Sequence, residues 1–141
     1  MKSCITLSLV PSLKGGPWIL WDNLKDGIRE AASLGFNAVE LFTDGPQAGN
    51  DNELGDILEE TGLVLGAVGT GAGKVLNGLT LTDANQDVRR KAVSFVREMI
   101  NFGAKYNAPA IIGSMQGSYE SGTSKEEALR WLADALEELG N

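Results

Sequence analysis

No histidine occurs in the 141 residues, which excludes Ser-His-Asp and Cys-His nucleophile arrangements and any histidine-containing metal site within the chain. Cysteine is nearly absent as well. Cys4 stands alone, so no internal disulfide can form, and a reducing compartment is expected. Its place in a short apolar run reads as a small buried side chain of a first strand rather than a catalytic thiol. Basic residues are few, 12 Lys and Arg against 19 Asp and Glu for a formal net charge of -7, and they are scattered. No basic stripe is available to neutralise a phosphate backbone, and nucleic acid is not expected as a partner. Long hydrophobic runs are missing too. The apolar stretch after Met1-Lys2 is interrupted by Ser and Thr and lacks a small-residue cleavage pattern, so neither a signal peptide nor a membrane span is read, and a cytoplasmic protein is expected.

What is present is an ordinary globular composition, 43% hydrophobic and 22% charged, enough for one core and a single domain over residues 1–141. Strand and helix patterns alternate along it. Residues 4–10 alternate like a strand, and Pro11 ends them by removing a donor. Asp22 or Asn23 can cap a helix that presents Leu24, Ile28, Ala31 and Ala32 on one face and closes at Gly35. Residues 36–42 form a second strand around a single charge, Glu40. A helix over 52–61 uses Leu54, Ile57 and Leu58 and stops at Gly62, and residues 63–68 give a third strand.

Val88, Ala92, Phe95, Met99 and Phe102 recur at spacings of four and three, the pattern of a helix laid against a sheet. The near-continuous apolar run 108–113 then reads as a parallel strand covered on both faces. After a Gly- and Ser-rich loop, Ser124-Lys125-Glu126-Glu127 fits a capping box, and Ala128, Leu132, Leu136 and Leu139 form the face of a fourth helix. Right-handed crossovers would make the four strands parallel and adjacent, an α/β arrangement.

Three phrases carry a resemblance. Gly35-Phe36-Asn37-Ala38-Val39-Glu40-Leu41 follows an amphipathic helix, Thr80-Leu81-Thr82-Asp83 precedes Arg89-Arg90-Lys91-Ala92, and Gly103-Ala104-Lys105-Tyr106-Asn107-Ala108-Pro109 leads into an apolar strand. In that order they resemble the xylose isomerase-like TIM barrels, which include sugar-phosphate isomerases and epimerases and the endonuclease IV repair enzymes. The resemblance implies a parallel (β/α)4 half of an eight-unit barrel, because the sequence ends on the fourth helix at Gly140 and Asn141. It also implies a sugar or sugar phosphate as the small-molecule partner. Family members typically hold a divalent metal (Mn, Mg or Zn) through Glu, Asp, His and Glu side chains on later strands. No such ligand transfers to this sequence, so no cofactor is expected in the chain itself, and it is expected to be inactive alone. The endonuclease reading relies on histidines that this sequence lacks.

Barrel chemistry gathers at the C-terminal ends of strands, which singles out Ser8, Val10, Phe42, Asp44, Thr70, Gly71, Ser114, Met115 and Gln116. Glu40 is the carboxylate to weigh. Inside an apolar strand it must meet a polar mouth or a partner, so it is either a sugar-hydroxyl contact or a satisfied structural carboxylate. Trp18 and Trp21 could stack on a sugar ring or staple the loop after strand one. Glu40, Phe42, Thr70, Ser114, Gln116 and Trp18 are therefore the candidate substrate-binding residues. Gly69-Thr70-Gly71-Ala72-Gly73-Lys74 resembles a phosphate loop, yet Val68 and Val75 stand where a Walker loop needs Gly and Ser or Thr, so a glycine-rich loop is expected. Exposed edges on strands one and four predict a homo-oligomer. A different class of reading remains, a non-catalytic four-stranded α/β module for binding or assembly.

Overall fold

The computed structural model describes residues 1–16, 18, 20–21, 23–46, 51–119 and 123–140. Asp22 and Asn141 lie outside them. Four strands alternate with helices: β1 (Cys4–Ser8), α1 (Leu24–Ser33), β2 (Ala38–Phe42), α2 (Asp51–Thr61), β3 (Val64–Gly69), α3 (Ala72–Asn77), α4 (Gln86–Ala104), β4 (Ala110–Ile111) and α5 (Lys125–Gly140). Every pairing is parallel and the order is β1-β2-β3-β4, as successive βαβ units predict.

Local chemistry sets the helix ends. Asn23 Oδ1 accepts from the Asp26 N–H at 3.0 Å to start α1, and Asn85 Oδ1 accepts from the Asp87 N–H at 2.9 Å to start α4. The capping box of α5 forms, with Ser124 Oγ accepting from the Glu127 N–H at 3.2 Å and the Glu127 carboxylate accepting from the Ser124 N–H and hydroxyl.

One face of the sheet is closed by helices. Leu7, Val39, Leu41, Leu65 and Val68 pack with Ile28 and Ala31 of α1, Leu54 and Ile57 of α2, and Met99 and Phe102 of α4 in a single buried cluster. Burying each large aliphatic side chain contributes roughly 1.5–3 kcal/mol, so this layer dominates stability. Two glycines set its spacing. A methyl group at Gly27 would overlap the Leu7 side chain, and one at Gly103 would overlap the Ala108 carbonyl, so α1 and α4 approach more closely than alanine allows.

The opposite face of the sheet has no helical layer among the described residues. Cys4, Thr6 and Ser8 of β1 and Ala38, Glu40 and Phe42 of β2 alternate with the core residues and point to it. Cys4 is consequently exposed rather than buried as expected.

Several other expectations give way. The fourth strand shrinks to Ala110–Ile111, because Asn107 at φ 56° turns the chain so that the Ala108 N–H reaches the Gly103 carbonyl at 2.9 Å, and the chain then curls into a 3-10 turn over Gly113–Gln116. The glycine-rich loop after β3 contains a helix, α3, ended by Gly78 at φ 66°. Leu136 of α5 is 46% exposed, and Ala128 and Ala135 take the buried positions. The outer edge of β1 is not fully open either. Leu20 bridges Leu7 in parallel, and its carbonyl accepts from the Ser8 N–H at 3.0 Å.

Candidate functional site

The register of β2 against β3 shifts between Val39 and Glu40, so that Val39 pairs with Leu65 but Glu40 with Ala67. The extra residue turns the alternation of β3 over, which keeps both Leu65 and Val68 in the core and sets Gly69 beside Phe42. Gly69 supplies room there. A methyl group on it would stand 3.2 Å from Glu40 Oε1 and 3.2 Å from Phe42 Cδ2.

Glu40 is half-buried and makes no hydrogen bond or ion pair among the described residues. Its carboxylate therefore retains its capacity to accept hydrogen bonds from a ligand. The negative charge is felt on the neighbouring strand: partial desolvation of the exposed Cys4 first, and Glu40 second, push its thiol pKa up from its ordinary value, against a smaller lowering from the Ile5 N–H.

Aromatic and small residues surround Phe42 at the C-terminal end of β2, two residues beyond Glu40. Trp18 lies against Phe42 with ring centroids 4.2 Å apart and planes tilted by 32°. Trp21 meets Trp18 edge-on at 5.6 Å, and its indole N–H donates to the Trp18 carbonyl at 2.8 Å, so Trp21 fastens the loop that carries Trp18. Val10 and Ala72 pack with the Phe42 ring in one buried cluster. A methyl group at Gly71 would stand 3.1 Å from Phe42 Cε2 and 3.3 Å from Ser114 Oγ, which joins the ends of β3 and β4 to the same patch.

Phe42 thus links three of the sequence candidates: Trp18 lies on its ring, Gly69 stands between it and Glu40, and Gly71 between it and Ser114. Two other sequence candidates serve elsewhere. Thr70 is fully buried; its N–H donates to the Ile111 carbonyl at 3.1 Å, and its hydroxyl lies 2.9 Å from the Ile111 carbonyl and 3.0 Å from that of Ile112. It clamps β4 to β3 and so holds the mouth from behind. Gln116 sits on the α5 side, lining a cavity of about 200 Å3 with Tyr119, Leu129 and Leu132, and its carbonyl accepts from the Thr82 hydroxyl at 3.0 Å. Sequence reasoning did not single out Gly69 as part of this site. The register shift that makes it matter leaves no mark in an apolar run.

Among the described residues, no three Asp, Glu or Cys side chains converge as metal ligands. Glu40 is the one carboxylate on the described strands, and the residues present do not by themselves fit a divalent metal.

Residues 28–141 match the family model described as xylose isomerase-like TIM barrel. Among solved structures, D-psicose 3-epimerase from Clostridium cellulolyticum H10, crystallised with D-tagatose, superposes at a TM-score of 0.67 with 17% identity, over 99% of this chain and 47% of that one. The 3-keto-D-glucoside 4-epimerase from E. coli gives 0.69 with 14% identity over 99% and 51%. An AP endonuclease of family 2 from Brucella melitensis gives 0.63 with 14% identity over 99% and 52%. The chain spans about half the length of these proteins. No curated protein sequence matches it. No helix among the described residues is long and apolar enough to cross a membrane.

Proposed function

The chain belongs to the xylose isomerase-like TIM barrel family, and from that premise we propose that it supplies the first half of a sugar or sugar-phosphate isomerase or epimerase domain, working in the cytoplasm. The observation that carries the reading is that one carboxylate without a partner among the described residues, Glu40, stands beside Gly69 and Phe42, and that the half-buried indole of Trp18 lies on the buried Phe42 ring, where parallel strands end. A carboxylate accepts charge-assisted hydrogen bonds from sugar hydroxyls, and an aromatic face packs on the apolar face of a sugar ring. Ser114 adds an exposed hydroxyl, and Gly69 and Gly71 let Glu40, Phe42 and Ser114 pack closely on the backbone of the strand end. Two structural neighbours bear the names of sugar epimerases, which agrees with this assignment.

In this reading Glu40 binds and orients the sugar. The proton-transferring carboxylates, and any Mn, Mg or Zn ion, belong to the remaining half of the barrel. The test is to assay the purified chain for ketohexose epimerisation and keto-aldose exchange with Mn or Mg added, beside calorimetric titration with the same sugars. Sugar binding that is lost in Glu40→Ala, without turnover, is expected. Robust turnover with no second polypeptide contradicts the division of labour, and absence of binding contradicts the sugar site.

A further inference from the structure

The turn that carries Ser114 is fastened at both ends by buried threonines. Among the described residues the buried polar side chains are those of Ser8, Thr43, Thr70 and Thr82, and two of these four face this one turn. Thr70 meets the carbonyls of Ile111 and Ile112, where the chain leaves β4. Thr82 meets the other end: its hydroxyl lies 3.0 Å from the Gln116 carbonyl and 3.1 Å from that of Ser118. A hydroxyl has one proton to give, so Thr82 donates to one of the two at a time and is held between them. Between these anchors the Leu81 N–H donates to the Met115 carbonyl at 2.8 Å, and the Met115 side chain is buried with Leu81, Ala92 and Val96.

The segment that bears Thr82 is itself fixed to α4 and α5. The Arg89 guanidinium donates to the Asp83 and Ala84 carbonyls and lies 3.9 Å over the Trp131 ring, and the Asp83 carboxylate accepts from the Asn85 N–H at 2.8 Å. Gly117, at φ 81°, lets Thr82 close on the turn, because a methyl group there would overlap the Thr82 hydroxyl. The Ser114 hydroxyl, by contrast, is exposed and makes no hydrogen bond among the described residues. A methyl group on Gly71 would stand between it and the Phe42 ring.

We propose that Thr82 is a positioning residue, which holds the turn over Gly113–Gln116 so that the Ser114 hydroxyl is presented to a sugar at the strand ends. The assignment rests on the sugar reading and adds to it which hydroxyl of this turn meets the ligand and what keeps it in place. A turn already fastened gives up little freedom when the ligand arrives, so its hydrogen bond contributes to affinity instead of being offset by ordering. A threonine that served stability alone would alter the melting temperature and leave the affinity of the folded chain unchanged.

Calorimetric titration of the purified chain with a ketohexose tests the assignment. Ser114→Ala is expected to weaken binding about fivefold, the loss of one neutral hydrogen bond. Thr82→Val keeps the shape, removes the hydroxyl and is expected to weaken binding by a similar factor. The double variant is expected to bind no more weakly than Ser114→Ala alone, because Thr82 acts through Ser114. Thr82→Ser, which keeps the hydroxyl, is expected to bind as the wild type does. Gly117→Ala displaces that hydroxyl from the other side of the contact, is expected to repeat the loss, and decides the matter if Thr82→Val does not fold. Wild-type affinity in Thr82→Val, or losses that add in the double variant, overturn the proposal and leave the sugar site standing. A wild-type chain that binds no ketohexose overturns the sugar reading and this assignment with it.

Discussion

The indole of Trp18 lies on the ring of Phe42, centroids 4.2 Å apart, and the pair joins the loop after β1 to the end of β2. Because Trp18 is half-buried and rests on Val10 and Phe42, replacing it by alanine is expected to cost about 1–3 kcal/mol in urea denaturation. The same variant is expected to weaken sugar binding. Unchanged stability would show that the pair holds nothing in place.

Gly69 has a different task. The methyl group of Gly69→Ala would press on Glu40 Oε1 and Phe42 Cδ2 at 3.2 Å, a contact that moves a flexible carboxylate more easily than a packed ring. Stability should fall by only about 1 kcal/mol, whereas sugar affinity should fall clearly as Glu40 is displaced. Equal affinity in the wild type and the variant would place the sugar away from Glu40.

Cys4 reports on the open face of the sheet. Partial desolvation of this exposed residue, and then the charge of Glu40, raise its pKa, so at a given pH near neutrality less thiolate is present than for an ordinary cysteine, and slow alkylation by iodoacetamide is expected. Glu40→Gln removes the negative charge, lowers the thiol pKa and raises the thiolate fraction. The alkylation rate profile should therefore shift to lower pH in the variant. An unmoved profile would mean that Glu40 does not face Cys4.

The parts of this architecture that local chemistry dictates were legible in the sequence. Asn23 and Ser124 announce α1 and α5 because a cap is a contact between residues three apart, and the spacing of Val88, Ala92, Phe95, Met99 and Phe102 announces α4. The four strands and their order follow from apolar runs and short crossovers. Features that depend on distant neighbours were not legible. The apolar run 108–113 looks like a long strand, yet both its ends serve turns, one at Asn107 and one from Gly113. Glycine density hid α3, whose Gly73 is required because Phe95 and Met115 crowd it. Among the candidate residues, Phe42 and Ser114 stand out by position at strand ends, Glu40 as the lone charge of an apolar strand and Trp18 as an aromatic in the loop after β1. Thr70 stands out by the same position, and its hydroxyl faces two carbonyls of the β4 end, a pairing set by the sheet rather than by sequence neighbours.

The central claim is that sugars bind where β1 to β4 end. The most direct measurement is a titration of the isotope-labelled chain with a ketohexose, followed in 1H–15N NMR spectra. The account predicts shifts that cluster on the amides of Glu40, Phe42, Gly69, Gly71 and Ser114 and on the Trp18 indole. Spectra that do not move, or shifts gathered in the groove of about 520 Å3 between α4 and α5 around Arg89, Arg90 and Trp131, would contradict it.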